Sequence, residues 1–167
     1  PKMEGSVGVD FVFFDGEELV YDAFRDPYFL GSEHFSREYA ANPPPHRYVK
    51  GVLLDMVADT DLQLFYETNS MREEGSRQIM QDIWGVGNRL GIGEFIPRIR
   101  HEVRDDHLSL NKIAKIPTCD IIDFDYPSPS GRANYWHTTN DSPVHCSALS
   151  LAKVGWVLLE WLKEQKG

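Results

Sequence analysis

The chain is poor in cysteine, in positive charge and in long apolar runs, and each shortage removes a class of function. Its 167 residues hold only two cysteines, Cys119 and Cys146, far apart and outside any CxxC pair. A zinc site built on thiolates therefore has no basis in the sequence. Lys and Arg number 17 against 26 Asp and Glu, a net charge of -9, which argues against nucleic acid or an anionic membrane as the main partner. No apolar stretch approaches the roughly 20 residues that a membrane-spanning helix needs. The first residues do not show the basic-then-apolar pattern of a signal peptide. There is no internal repeat and no low-complexity tract.

What is present suits one α/β domain spanning residues 1–167, long enough to build a single core. Val7 to Phe14 is β-branched and aromatic with almost no alternation, which predicts a strand buried on both faces. It runs into Asp15-Gly16-Glu17-Glu18. Ligands of open α/β sheets sit at the carboxyl ends of strands, so Glu17 and Glu18 stand where a metal or substrate could use them. A solvated Asp-Gly turn with two surface acids is the plainer alternative. The chain opens almost directly on this strand, so an amino-terminal part of the domain is expected upstream.

Further along, Gly31-Ser32 opens a predicted helix with Ser32 as N-cap and Phe35, Tyr39 and Ala40 on one face, stopped by Asn42 and Pro43 to Pro45. Tyr48 to Asp55 and Thr118 to Phe124 read as buried strands, and Leu62 to Tyr66 as a shorter one. Glu73 to Leu90 has helical spacing, closed by Gly91. Cys146 to Glu164 reads as an amphipathic helix with Leu151, Val154, Leu158 and Leu162 inward. Strands alternate with helices, which gives an α/β class.

Several of these strands end near groups that can do chemistry. Glu17-Glu18, Asp55 and the segment Tyr135-Trp136-His137-Thr138 would meet at one sheet edge if the strands are parallel neighbours. Carboxylates with an imidazole are a ligand set for catalytic zinc. Asp55 reads equally as a strand-end cap, and His137 as a histidine packed beside Trp136. In Arg104-Asp105-Asp106-His107 the acids either support a metal ligand or start a helix at its positive end. Tyr21, Phe24, Tyr28 and Phe29, with Tyr135 and Trp136, either line an apolar pocket or fill the core. His34, His46, His101 and His145 have no spacing that recommends them.

Taken in order, Phe14-Asp15-Gly16-Glu17-Glu18, Gly31-Ser32-Glu33-His34-Phe35, Leu53-Leu54-Asp55-Met56-Val57, Asp105-Asp106-His107, Ile116-Pro117 and Trp136-His137-Thr138, with Asp141 after them, resemble the M28 family of zinc aminopeptidases. Within that superfamily they resemble the glutaminyl cyclases. The long loop from Leu19 to Leu30, Asp105-Asp106-His107 and Trp136-His137-Thr138 are closer to the cyclase branch. The resemblance implies a three-layer α/β/α fold with a mixed, mostly parallel sheet that here lacks its first strands.

It also implies roles. Glu17 would be the general acid/base, Glu18 and His137 zinc ligands, and Asp105 a partner of Glu17 in a proton network. Asp55 would join that network in a one-zinc cyclase or bind the second zinc of a two-zinc aminopeptidase. Trp136, Tyr135 and Phe24 would line the substrate pocket. The substrate would be the N-terminus of a peptide or protein. The cyclase reading makes N-terminal pyroglutamate; the alternatives are an aminopeptidase and a scaffold without activity. A further zinc-binding Asp would come from the upstream segment, leaving the 167 residues alone inactive. The family is often exported, so a periplasmic or secreted location is the expectation.

Overall fold

The computed structural model describes residues 8–22, 24–125 and 138–165. Its strands are β1 (Gly51–Asp55), β2 (Leu64–Tyr66), β3 (Phe95–Ile99) and β4 (Thr118–Ile122), and its helices are α1 (Leu30–Ala41), α2 (Thr68–Arg72), α3 (Glu74–Arg89), α4 (His107–Ser109) and α5 (Ala148–Lys163). α4 runs on as a π-helical turn, Leu110–Ala114. β1 pairs in parallel with β4, Gly51 opposite Thr118 and Asp55 opposite Ile122, and β2 pairs in parallel with β3. The class is α/β, as the alternation of elements predicts.

Helices cover both faces of β4. Cys119 and Ile121 point into the main core with Ile79, Ile83 and Trp84 of α3 and Val154, Val157 and Trp161 of α5. Side chains alternate across a strand, so Asp120 points the other way, to α4. On that side Phe35 and Tyr39 of α1 pack on Leu110, Ala114 and Ile116.

Several expectations need correction. Residues 8–14 are extended but form no paired strand among the described residues, and they are not buried: Phe13 is 92 % exposed. No described strand lies against them; Phe14 alone is half-buried, its ring edge-on to Phe35 of α1 at 5.7 Å, while Phe11 and Phe13 are exposed. The strand expected from Tyr48 starts at Gly51 and is only half-buried. Ser32 lies inside α1 rather than capping it, and Ala40 faces solvent. In α5 Val154, Val157 and Trp161 are buried and Leu158 and Leu162 pack partly against the core, while Leu151 is exposed. β3 is an addition. Its Pro97 breaks the strand pattern, and the β2–β3 register jumps there, from Phe65 opposite Ile96 to Tyr66 opposite Ile99, the kind of irregularity where proline is tolerated.

Candidate active site

α1 begins on the turn that carries the paired glutamates. Its first N–H groups have no partner within the helix and none from a side-chain cap. Turn carbonyls satisfy them instead: the amides of Phe29, Leu30 and Gly31 donate to Glu17, Gly16 and Asp15 at 3.4, 3.4 and 3.0 Å. The turn needs Gly16 at φ +64°, a conformation that costs glycine little. Gly31 permits the close approach, since a Cβ there would lie 2.6 Å from the Asp15 carbonyl oxygen. Gly31→Ala is therefore expected to cost about 1–3 kcal/mol and to displace Glu17 and Glu18. A thermal unfolding midpoint equal to that of the parent would contradict this.

Glu17, Glu18, Asp55 and Asp105 all line one pocket of about 730 Å³, joined by Asp106 and Asp141. Asp55 arrives from the carboxyl end of β1, and Asp105 and Asp106 from the residues just before α4. Four of these acids are held above the usual carboxylate range. Burial, followed by the charges of Glu18, Asp106 and Asp55, brings Glu17 to about 7. Burial and the charge of Asp55 bring Asp105 to about 8. Burial raises Asp55, and burial also raises Asp106 against the opposing pull of Ser32 and His107. So many carboxyls in one cavity disfavour ionisation until a positive charge enters. The pocket is chemically suited to a cation, whether a metal ion or an ammonium group, and to holding a proton.

The apolar wall differs from the expected one. Phe24 is fully exposed, at 100 %, because Asp22 and Asp26 fold the loop on itself by accepting from the amides of Phe24, Tyr21 and Asp22. Tyr28 and Phe29 line the pocket in its place. Phe29, and Met56 just after Asp55, both take left-handed backbone angles, φ 62° and 52°. Tyr135, Trp136 and His137 lie outside the described residues. Among the described residues no group of three His, Cys, Asp or Glu side chains is spaced to hold a metal ion. Glu18 and Asp55 line the pocket with carboxylate oxygens.

Sequence reasoning passed over two buried acids behind this pocket, Glu67 and Asp120. Glu67 caps α2, accepting from the amides of Asn69 and Ser70 and from the Ser70 hydroxyl at 2.8, 2.6 and 2.9 Å. A Glu two residues before Asn-Ser gives a faint capping signal. Asp120, inside an apolar strand, was visible as the one charge in Thr118 to Ile122.

The sequence model of peptidase family M28 matches residues 2–162. The chain belongs to that family. Solved structures similar to this M28 chain include a glutaminyl cyclase from Fimbriiglobus ruber, at 36 % identity and TM-score 0.79 over 92 % of this chain and 51 % of that one. A Zn-dependent exopeptidase from Parabacteroides distasonis matches at 32 % identity and TM-score 0.76, over 92 % and 53 %. A glutaminyl cyclase from Porphyromonas gingivalis matches at 29 % and 0.77, over 91 % and 54 %. The chain thus spans about half the length of these relatives. No curated protein matches.

Proposed function

We propose that this M28 chain carries the proton-transfer half of a zinc-dependent glutaminyl-peptide cyclotransferase. The observation that carries the proposal is the meeting of Glu17, Asp55 and Asp105 in one acidic pocket, with likeness to two glutaminyl cyclases in support. The acids would draw in the α-ammonium of a peptide whose first residue is glutamine. Glu17 would take a proton from that amine as its nitrogen bonds to the side-chain amide carbon, and would return it to the departing ammonia. Asp105, whose ionisation the Asp55 charge disfavours and whose hydrogen bond favours that of Asp55, would hold the neighbouring proton. Tyr28 and Phe29 would keep water from competing for the amide carbon. Zinc, when bound, would polarise the amide carbonyl, with Glu18 and His137 as the ligands from this chain.

The likeness to a Zn-dependent exopeptidase favours a second reading, an aminopeptidase in which Asp55 would bind a second zinc. We further propose that residues 1–167 are the carboxy-terminal part of a larger catalytic domain. The half-length match to the solved relatives and the exposure of Phe11 and Phe13 support this. The test is turnover by the full-length protein of a Gln-initiated peptide against a Leu-initiated one, with metal content measured alongside. One zinc and pyroglutamate product are expected, and Glu18→Gln should lose the zinc. Two zincs with cleavage of the Leu peptide and no pyroglutamate would establish the aminopeptidase instead.

A further inference from the structure

Behind the pocket, three ionisable side chains that the proposed proton network does not use are sealed together. Glu67 is 1 % exposed, and His107 and Asp120 are 0 %. His107 Nε2 lies 3.5 Å from Glu67 Oε2, and its Nδ1 lies 3.6 Å from Asp120 Oδ2. Neither imidazole nitrogen and neither Asp120 oxygen has a hydrogen-bond partner among the described residues. Apolar residues of the same volume would commonly be as stable or more so, so bulk stability does not account for the cluster.

Its connections do. Glu67 Oε1 accepts from the Val103 amide at 3.0 Å, while its other oxygen faces His107. A single carboxylate therefore grips the chain two residues before and two residues after Asp105. Asp120 closes the third side: it stands opposite Leu53 in the β1–β4 register, two residues ahead of Asp55, and its own amide is held by the Ser70 hydroxyl at 3.0 Å. Ser70 in turn donates to Glu67. The cluster thus ties the segment bearing Asp105 and Asp106 to the strand pair bearing Asp55.

We infer that Glu67, His107 and Asp120 form a buried clamp whose role is to fix Asp105 against Asp55, with His107 as its central positioning residue. In this arrangement the His107 ring stands between the two carboxylates, Nε2 towards Glu67 and Nδ1 towards Asp120.

The inference rests on the proposed function for its kinetic arm, and a second arm is independent of it. In the full-length protein, Asp120→Asn and His107→Gln are each expected to lower kcat for a Gln-initiated peptide about 10- to 100-fold, the range for residues that orient others. KM should stay within about twofold, since neither side chain reaches the pocket. Amide hydrogen exchange should quicken at Asp105 and Asp106 in both variants, while α3 and α5 keep their protection. Asp120→Asn preserves side-chain volume and serves if His107→Gln does not fold. An unchanged kcat in a folded variant, or a fall in protection spread evenly over the core, would overturn the clamp. If the parent protein turns over no Gln peptide, the proposed function falls, and the exchange data alone decide the clamp.

Discussion

Glu17→Gln should reduce turnover by about 10²- to 10⁴-fold, the range contributed by a positioned general acid or base, while zinc content stays close to that of the parent. Glutamine keeps the volume and one oxygen of glutamate, so the pocket and the turn survive. What disappears is the proton carrier. Glu17 suits this task because it is half-buried in the pocket, where burial and the charges of Glu18, Asp106 and Asp55 raise its carboxyl. Glu18, next in sequence, lies at the exposed rim. Steady-state assays paired with metal analysis check the expectation. Full activity in Glu17→Gln would move the base elsewhere, and loss of zinc together with activity would make Glu17 a ligand.

A second large effect concerns stability in acid. Burial pushes Glu67 up, but the His107 imidazole and the amides of Asn69, Ser70 and Val103 outweigh it and bring the carboxyl from 4.5 to about 2. A carboxyl depressed by folding stabilises the native state above its unfolded value, and that contribution fades as the pH falls from 4.5 towards 2. The difference corresponds to roughly 3 kcal/mol at neutral pH. Glu67→Gln is expected to lose about that much at pH 7. Its stability should also fall less steeply than the parent's below pH 4.5. Denaturant unfolding of both proteins at pH 7, 4 and 3 gives the comparison, and it cancels the opposite contributions of Asp55 and Asp105, whose raised values act in both. Parallel pH profiles would show that Glu67 is not the group responsible.

Much of the site was legible because its acids interrupt apolar patterns. Asp55 ends a hydrophobic run, Glu17 and Glu18 follow another, and Asp105-Asp106 precede a helix start that the structure places at His107. All of them meet in one pocket. Patterning fails where partners decide. Residues 8–14 have the composition of a buried strand, yet burial depends on what lies alongside, and among the described elements no strand does: only Phe14 finds a cover, on α1. β3 was hidden by Pro97. Phe24 was expected in the pocket from its place in the loop, but local turns made by Asp22 and Asp26 set its direction. Glu67 was unreadable for a similar reason: nothing in Glu67-Thr68-Asn69-Ser70 shows that Val103 and His107 converge on it from more than 30 residues away.

The backbone angles at Phe29 and Met56 have a consequence for how far this site can be improved. A left-handed conformation costs a non-glycine residue roughly 1–2 kcal/mol, and two of the four such residues in the described chain stand at the pocket wall. Glycine at either position would relax the backbone and remove the side chain that shapes the cavity. A search for thermostable variants would thus be drawn to positions that wall the pocket. Backbone relaxation and the shape of the cavity compete for the same two residues.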